Sequence, residues 1–301
     1  MTSLRCPRSL AQVSRCTARA CATMDIKELK ALFLRYWSAK DTSDWATVLQ
    51  GDQFVWQYGT TPLSHIQYPL FAIAGYLVVV FVLRAWMSTR TKFELKAVVR
   101  YHNAVLCVWS FLMLVGCLHP VSKVIMQDGL LGSLCDARGL LLPAKGLFAY
   151  TAWHYYASKY YELADTVIIV LKKNPLTVLQ MWHHVSVLML TWLWQNSGWS
   201  LCWWGIACNT TVHVFMYYYF SVATLGKRPW WKKYLTMGQL VQFATVFINI
   251  FLWLYLTRAQ GKSCAGDEFT ALVSQGVNIS YLCLFGAFYA RTYKSTKRKE
   301  Q

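Results

Sequence analysis

The chain has 301 residues, of which 56% are hydrophobic and only 14% charged, well under the roughly one-quarter charged share of a soluble domain. Its net charge of +17 would suit nucleic acid if it formed one block. The Lys and Arg residues fall instead between and after apolar stretches, which favours anionic lipid and a phosphate-bearing ligand over a soluble or nucleic-acid-binding protein.

In chain order, residues 1–23 carry Arg5, Arg8, Arg15 and Arg19 with no acidic residue. That composition resembles a transit peptide, although an over-long start with Met24 as the working initiator is the preferred reading. Residues 25–40 read as a short amphipathic helix on a membrane surface. A window of about 20 residues, the length that crosses a hydrocarbon core, then finds seven spans: 68–87, 98–118, 147–171, 177–196, 200–222, 235–257 and 269–290. The expected organisation is an N-terminal extension with a surface helix (1–65), a membrane domain (66–293) and a basic tail (294–301).

Short connections set orientation through Lys and Arg. One set holds Arg84, Arg90, Lys92, Lys96, Arg100, Lys172, Lys173, Lys227, Arg228, Lys232, Lys233 and the tail residues Arg291, Lys294, Lys297, Arg298 and Lys299, sixteen in all. The alternate set holds five: Lys123, Arg138, Lys145, Arg258 and Lys262. The C-terminus is therefore expected in the cytosol. Lys297 and Lys299 match the K-x-K-x-x spacing of an endoplasmic-reticulum retrieval signal, against the alternative of a plain basic flank. Most of the ten cysteines lie in apolar spans or the N-terminal tail and read as small buried hydrophobes. Cys135 and Cys264 fall on the lumenal side, where an oxidising compartment permits a disulfide.

Ionisable groups inside a membrane span are candidates for function, because each costs roughly 2.5–3.5 kcal/mol at a helix centre. The third span holds Lys159, Glu162 and Asp165 in KYYELADT, where a spacing of three allows Lys159 to pair with Glu162; a neutralising pair that only ties helices together is the competing reading. The fourth holds Gln180, His183 and His184 in QMWHH, one face of a helix. The fifth holds Asn209, His213, Met216 and Tyr217 in NTTVHVFMYYY, again one face. The sixth holds Thr236, Gln239 and Gln242 in TMGQLVQF, a stripe that interhelical hydrogen bonding alone could explain. At about 1.5 Å rise per residue, Asp165, His183, His213 and Gln239 lie roughly 9, 9, 14 and 6 Å inside the cytosolic ends of their spans. Four polar faces at a shared depth point to one site. Lys172, Lys173, Lys232 and Lys233, the last two preceded by Trp230 and Trp231, stand over it where a nucleotide-phosphate ligand such as coenzyme A would enter.

A metal oxygenase is one rival, with a single site of His183, His184, His213 and Asp165 conceivable; of the seven histidines His65 and His119 fall near the lumenal ends of their spans, so too few remain to fill a two-metal site. A seven-span receptor or transporter fits poorly, since no break at mid-membrane is evident. A non-enzymatic lipid carrier is a third alternative. Asn209 and Asn278 sit in glycosylation sequons but inside spans, so neither should be modified.

These four segments resemble, in order, the K-x-x-E-L-x-D-T, H-x-x-H-H, N-x-x-x-H-x-x-M-Y-x-Y-Y and T-x-x-Q-x-x-Q-F motifs of the ELO family of fatty-acid elongases, over residues 70 to 293. WWKKY before the last motif is also typical. The resemblance implies an all-α membrane protein of seven helices, six forming a barrel around an acyl-chain tunnel. It implies condensation of acyl-CoA with malonyl-CoA to 3-ketoacyl-CoA, carbon dioxide and CoA, without metal or redox cofactor. His183 and His213 would carry the acyl transfer with His184 polarising. Lys159, Glu162, Asp165, Gln180, Asn209, Tyr217, Gln239, Gln242, Lys232 and Lys233 would hold substrate, and Cys135 and Cys264 would form a lumenal disulfide. Expected partners are both CoA esters, membrane lipid, the ketoacyl reductase, dehydratase and enoyl reductase of the elongation cycle, and a second copy of the chain, with no nucleic acid. Two positions depart from the motifs. Gln180 replaces the first histidine, which suggests polyunsaturated chains as substrate, and Phe220 replaces the last tyrosine.

Overall fold

The computed structural model describes residues 26–141, 145–227 and 229–294. Residues 1–23, Arg228, Lys297 and Lys299 lie outside them. Among the described residues the named elements are all helices, without strands; a single antiparallel bridge joins Val55 to Lys145.

Helix α1 (Ile26–Ser38) buries no residue and leaves Ile26, Leu29, Phe33, Leu34 and Trp37 exposed, as a surface helix would. A 3₁₀ segment, Trp45–Gln53, follows, capped by Asp44 accepting from the Ala46 amide at 2.9 Å. Residues 54–66 then fold into the main hydrophobic core with Phe54, Trp56 and Ile66. Three ring donors tie that segment down: Trp153 Nε1 to Pro62 O (3.0 Å), Tyr156 OH to Leu63 O (2.9 Å) and Trp192 Nε1 to Ser64 O (2.7 Å). Leu63 holds a left-handed backbone, φ 66°, uncommon for a branched residue.

Helices α2 (Gln67–Met87) and α3 (Lys96–Cys135) come next. The second expected span ends at 118, but the helical run continues to 135, interrupted by Gly129 at φ 72°. Hydropathy falls at His119 and Pro120, whereas the helix needs only local hydrogen bonds and carries on. The third expected span is two helices, α4 (Leu147–Glu162) and α5 (Ala164–Leu171). Leu163 N bonds Tyr160 O and Thr166 N bonds Leu163 O, so the chain tightens into three-residue turns at the polar motif, a break that the sequence did not disclose. The remaining helices are α6 (Val178–Ser197), α7 (Cys202–Ala223), α8 (Lys232–Arg258) and α9 (Glu268–Tyr289). Thr177 caps α6 by accepting from Gln180 N (3.2 Å), and Gly198 ends it in the left-handed conformation.

Among the described residues, four helices are long and apolar enough to cross a membrane: Gln67–Met87, Lys96–Cys135, Lys232–Arg258 and Glu268–Thr292. The chain is a multi-pass membrane protein. Spans expected at 147–171, 177–196 and 200–222 also fall on helices; α4 and α5 have 16 and 8 residues, and α6 and α7 carry the polar faces that lower their hydropathy. Helix α3 packs on α4 and α7, α4 on α6, α6 on α9, α9 on α8, and α8 on α7, while α2 leans on α5 and α6.

The two ends differ in chemistry. At one, Phe93 N bonds Leu171 O, Lys173 Nζ bonds Ser88 O (3.4 Å) and Arg100 Nε bonds Thr224 Oγ1 (3.2 Å), gathering the basic connections. At the other, a disulfide joins Cys135 to Cys264, and Ser200 Oγ reaches the carbonyls of Leu134 (2.8 Å) and Ala265 (3.1 Å).

Candidate active site

The site begins with a charge pair that the bundle has taken out of water. Lys159 and Glu162 side chains are each 1% exposed, and Lys159 Nζ donates to Glu162 Oε1 at 2.8 Å. The last turn of α4 places them on the face toward α7. There Asn209 Oδ1 accepts from Lys159 Nζ (3.2 Å) and from Tyr155 OH (2.9 Å). The ammonium also lies 4.1 Å from the Tyr155 ring centre, a cation–π contact. Because both neighbours of Asn209 Oδ1 are donors, its amide orientation is fixed and Nδ2 faces His213 Nε2 at 3.2 Å. An amide nitrogen only donates, so His213 Nε2 accepts and the ring proton sits on Nδ1, 3.7 Å from Glu162 Oε1. Four of the expected residues, from two helices one pitch apart on each, thus form one connected set.

Beside it lies a second set. Asp165, on the first turn of α5, accepts from Tyr217 OH at Oδ2 (2.9 Å) and pairs with His102 Nε2 at Oδ1 (2.7 Å). Tyr217 stands edge-on to His213, ring centres 5.3 Å apart. On α6, Gln180 Nε2 contacts His184 Nε2 at 2.7 Å. His183 packs 5.6 Å from His184 and 5.3 Å from Tyr281, and its buried Nδ1 has no hydrogen-bond partner among the described residues. Ser186 Oγ and Tyr281 OH, 2.7 Å apart, brace that ring from below.

The sixth-span residues join less closely. Gln242 is buried with Oε1 unpartnered among the described residues, and Gln239 is half-buried outside the hydrogen-bonded sets. Lys232 and Lys233 are exposed at the start of α8. Asn209 and Asn278 are both buried and engaged, Asn278 Nδ2 donating to Phe243 O at 3.0 Å. Among the described residues, no three His, Cys, Asp or Glu side chains gather into a group able to hold a metal ion. Asp165 is turned toward His102 and Tyr217 rather than toward the other three histidines.

Sequence reasoning passed over His102, Tyr155, Ser158, Ser186 and Tyr281. His102 had the same signal as the others, an ionisable group in an apolar span. The hydroxyl residues carried none, since tyrosine and serine are common in membrane helices.

The sequence profile of the ELO: GNS1/SUR4 family matches residues 61–301. The chain belongs to the ELO family. A putative fatty acid elongase of Dictyostelium discoideum is 39% identical over 253 residues, covering 84% of this chain and 85% of the relative. Fatty acid elongase sre1 of the same organism is 34% identical over 249 residues, 82% and 91% of the two chains. Very long chain fatty acid elongase 4 of Macaca mulatta is 30% identical over 251 residues, 79% and 75%. Membership of the ELO family thus spans the helices that build the site, not the motifs alone.

Proposed function

We propose that this ELO-family protein is a very-long-chain 3-ketoacyl-CoA synthase, condensing acyl-CoA with malonyl-CoA. The observation that carries the reading is the buried Lys159–Glu162–Asn209–His213 set beside His183, a family site assembled from side chains of three helices.

In the proposed reaction, the free Nδ1 lone pair of His183 attacks the acyl thioester carbon. The C–S bond breaks, CoA leaves as its thiol with a proton from the site, and an N-acylimidazole remains. Malonyl-CoA then loses carbon dioxide, and the resulting enolate carbon attacks the acyl carbonyl. The C–N bond breaks, releasing 3-ketoacyl-CoA, and the departing imidazolate regains from solvent the proton given up with the thiol, restoring the imidazole. His213, held by Asn209 and facing Glu162, assists proton movement, while His184 with Gln180 polarises the thioester. Lys159, Asn209, Gln239 and Gln242 supply donors for pantetheine and for the enolate oxygen. Lys232 and Lys233 receive the CoA phosphates. No metal or redox group is needed for this chemistry.

The same reading takes the cyclic order of neighbours α3–α4–α6–α9–α8–α7 as a six-helix barrel around the acyl chain, with α2 outside it as a seventh span. It puts the basic end in the cytosol, on the positive-inside count, and the protein in the endoplasmic reticulum with the other enzymes of the cycle. Gln180 extends the proposal to polyunsaturated chains. Purified protein given labelled malonyl-CoA and a panel of acyl-CoAs should release carbon dioxide and form 3-ketoacyl-CoA. No release across the panel would defeat the proposal. His183→Ala and His213→Ala should each lower turnover at least about 10²-fold; a normal rate in either removes that residue from the mechanism.

A further inference from the structure

We propose that His102 is a positioning residue for this condensation, orienting His213 through Asp165 and Tyr217; the inference rests on the reading above.

His102 stands on α3, a helix that contributes none of the four motifs. It is buried, its ring stacked on Tyr161 with centres 5.0 Å apart and planes 27° apart. That stacking leaves Nε2 aimed at Asp165 Oδ1, 2.7 Å away. Asp165 is thereby gripped on both oxygens, by α3 through His102 and by α7 through Tyr217 OH at 2.9 Å. A carboxylate bound on both oxygens cannot rotate, and charge-assisted bonds of this length are the strong class. Tyr217, one turn beyond His213, is fixed in turn with its ring edge-on to that imidazole. His213 has Asn209 and Glu162 on one side and the Tyr217 ring on the other. Without His102, Asp165 keeps only Tyr217; its side chain, 20% exposed, can swing outward and take the tyrosine with it. A misplacement of about 1 Å at a reacting group costs roughly 10²-fold in rate. The contact also joins α3 to the short helix after the Leu163 break.

A structural tie and a positioning role differ in what they disturb. His102→Phe keeps the stacked ring and removes the donor; His102→Gln restores an amide donor near the position of Nε2. The purified full chain should lose about ten- to hundredfold in kcat with His102→Phe at unchanged KM for both CoA esters. His102→Gln should recover most of that loss, and unfolding midpoints in detergent should stay close to wild type. The double variant of His102→Phe with Asp165→Asn should be no slower than Asp165→Asn alone, since both cut one relay. Wild-type kcat in His102→Phe, a loss shared equally by kcat and stability, or effects that multiply in the double variant would each overturn the proposal. If the unaltered protein releases no carbon dioxide, it is the condensation reading that fails. The relay is then read from histidine ¹⁵N spectra: Asp165→Asn must shift both the His102 and His213 resonances, and an unmoved His213 signal overturns it.

Discussion

Glu162→Gln replaces one member of a fully buried ion pair with an uncharged group of the same shape. In the wild type Glu162 Oε1 accepts from Lys159 Nζ at 2.8 Å and from Ser158 Oγ at 3.1 Å. Both charged side chains are 1% exposed, so water cannot take over when the carboxylate is lost. The ammonium keeps amide oxygens, from Asn209 and from the new side chain, and one aromatic face, but no counter-charge. Breaking such a pair costs about 3–5 kcal/mol, where an exposed pair would cost about 0–1 kcal/mol. Lys159→Met should cost about as much, for the mirror-image reason. Combining both changes removes both charges, so the double variant should be at least about 2 kcal/mol more stable than the sum of the single losses. Denaturant unfolding of the four proteins in one detergent, followed by tryptophan fluorescence, measures the cycle. Single losses below about 1 kcal/mol that add in the double variant would show that the pair is solvated, and the buried-charge argument would fail.

The remaining predictions concern the frame around the site. Cys135 and Cys264 are 129 residues apart, so Cys264→Ser should destabilise by about 5 kcal/mol through the unfolded chain. Reduced wild type should unfold where the variant does; if the variant unfolds with the oxidised wild type, the crosslink contributes nothing. At Gly266, φ is 108° and an added Cβ would lie 2.5 Å from Trp199 Cδ1 and 2.8 Å from its backbone Cα. Gly266→Ala should therefore cost about 2 kcal/mol or more, and an unchanged unfolding midpoint would refute it. Burial raises the Asp267 carboxyl above its ordinary value, outweighing its bonds to the Thr270 backbone and side chain. The folded state then binds this proton more tightly than the unfolded chain does. Its contribution to stability is present below the ordinary carboxylate range and is lost as pH rises through the raised folded value. Asp267→Asn keeps a capping oxygen without titrating, so its midpoint relative to wild type should rise between acid and neutral pH. A difference that stays constant over that range would contradict the assignment.

Much of this was legible because a membrane makes polar residues conspicuous. Lys159, Glu162, Asn209 and His213 could be found from the incongruity of charge and amide in apolar runs, and helical spacing put each set on one face. What spacing does not encode is which faces meet. Gln239 had the same credentials as Asn209 yet lies outside the hydrogen-bonded sets, because half a turn of helix rotation decides the matter and apolar packing decides the rotation. The break at Leu163 was hidden for a related reason. Its φ and ψ of −57° and −27° remain right-handed helical, so no glycine or proline was needed to make it. The continuation of α3 past Pro120 escaped a hydropathy window because that window reports membrane preference and not helix formation. Residues 54–66 are too short and too broken by Gly59 and Pro62 to read as a span, and only the ring donors of α4 and α6 reveal them as part of the core.

Those three ring donors also carry a consequence for the order of events during synthesis. Segment 54–66 leaves the ribosome before every long helix, and the carbonyls of Pro62, Leu63 and Ser64 must wait for Trp153, Tyr156 and Trp192. Until 128 further residues have been made, from Ser64 to Trp192, the set of ring donors is incomplete, and the segment must be kept in water at the end of the bundle where the disulfide forms. It is made before every long helix and is among the last to dock. A chain stalled before α6 would present this stretch, with Phe54 and Trp56 exposed, to any quality-control factor that binds extended apolar sequence.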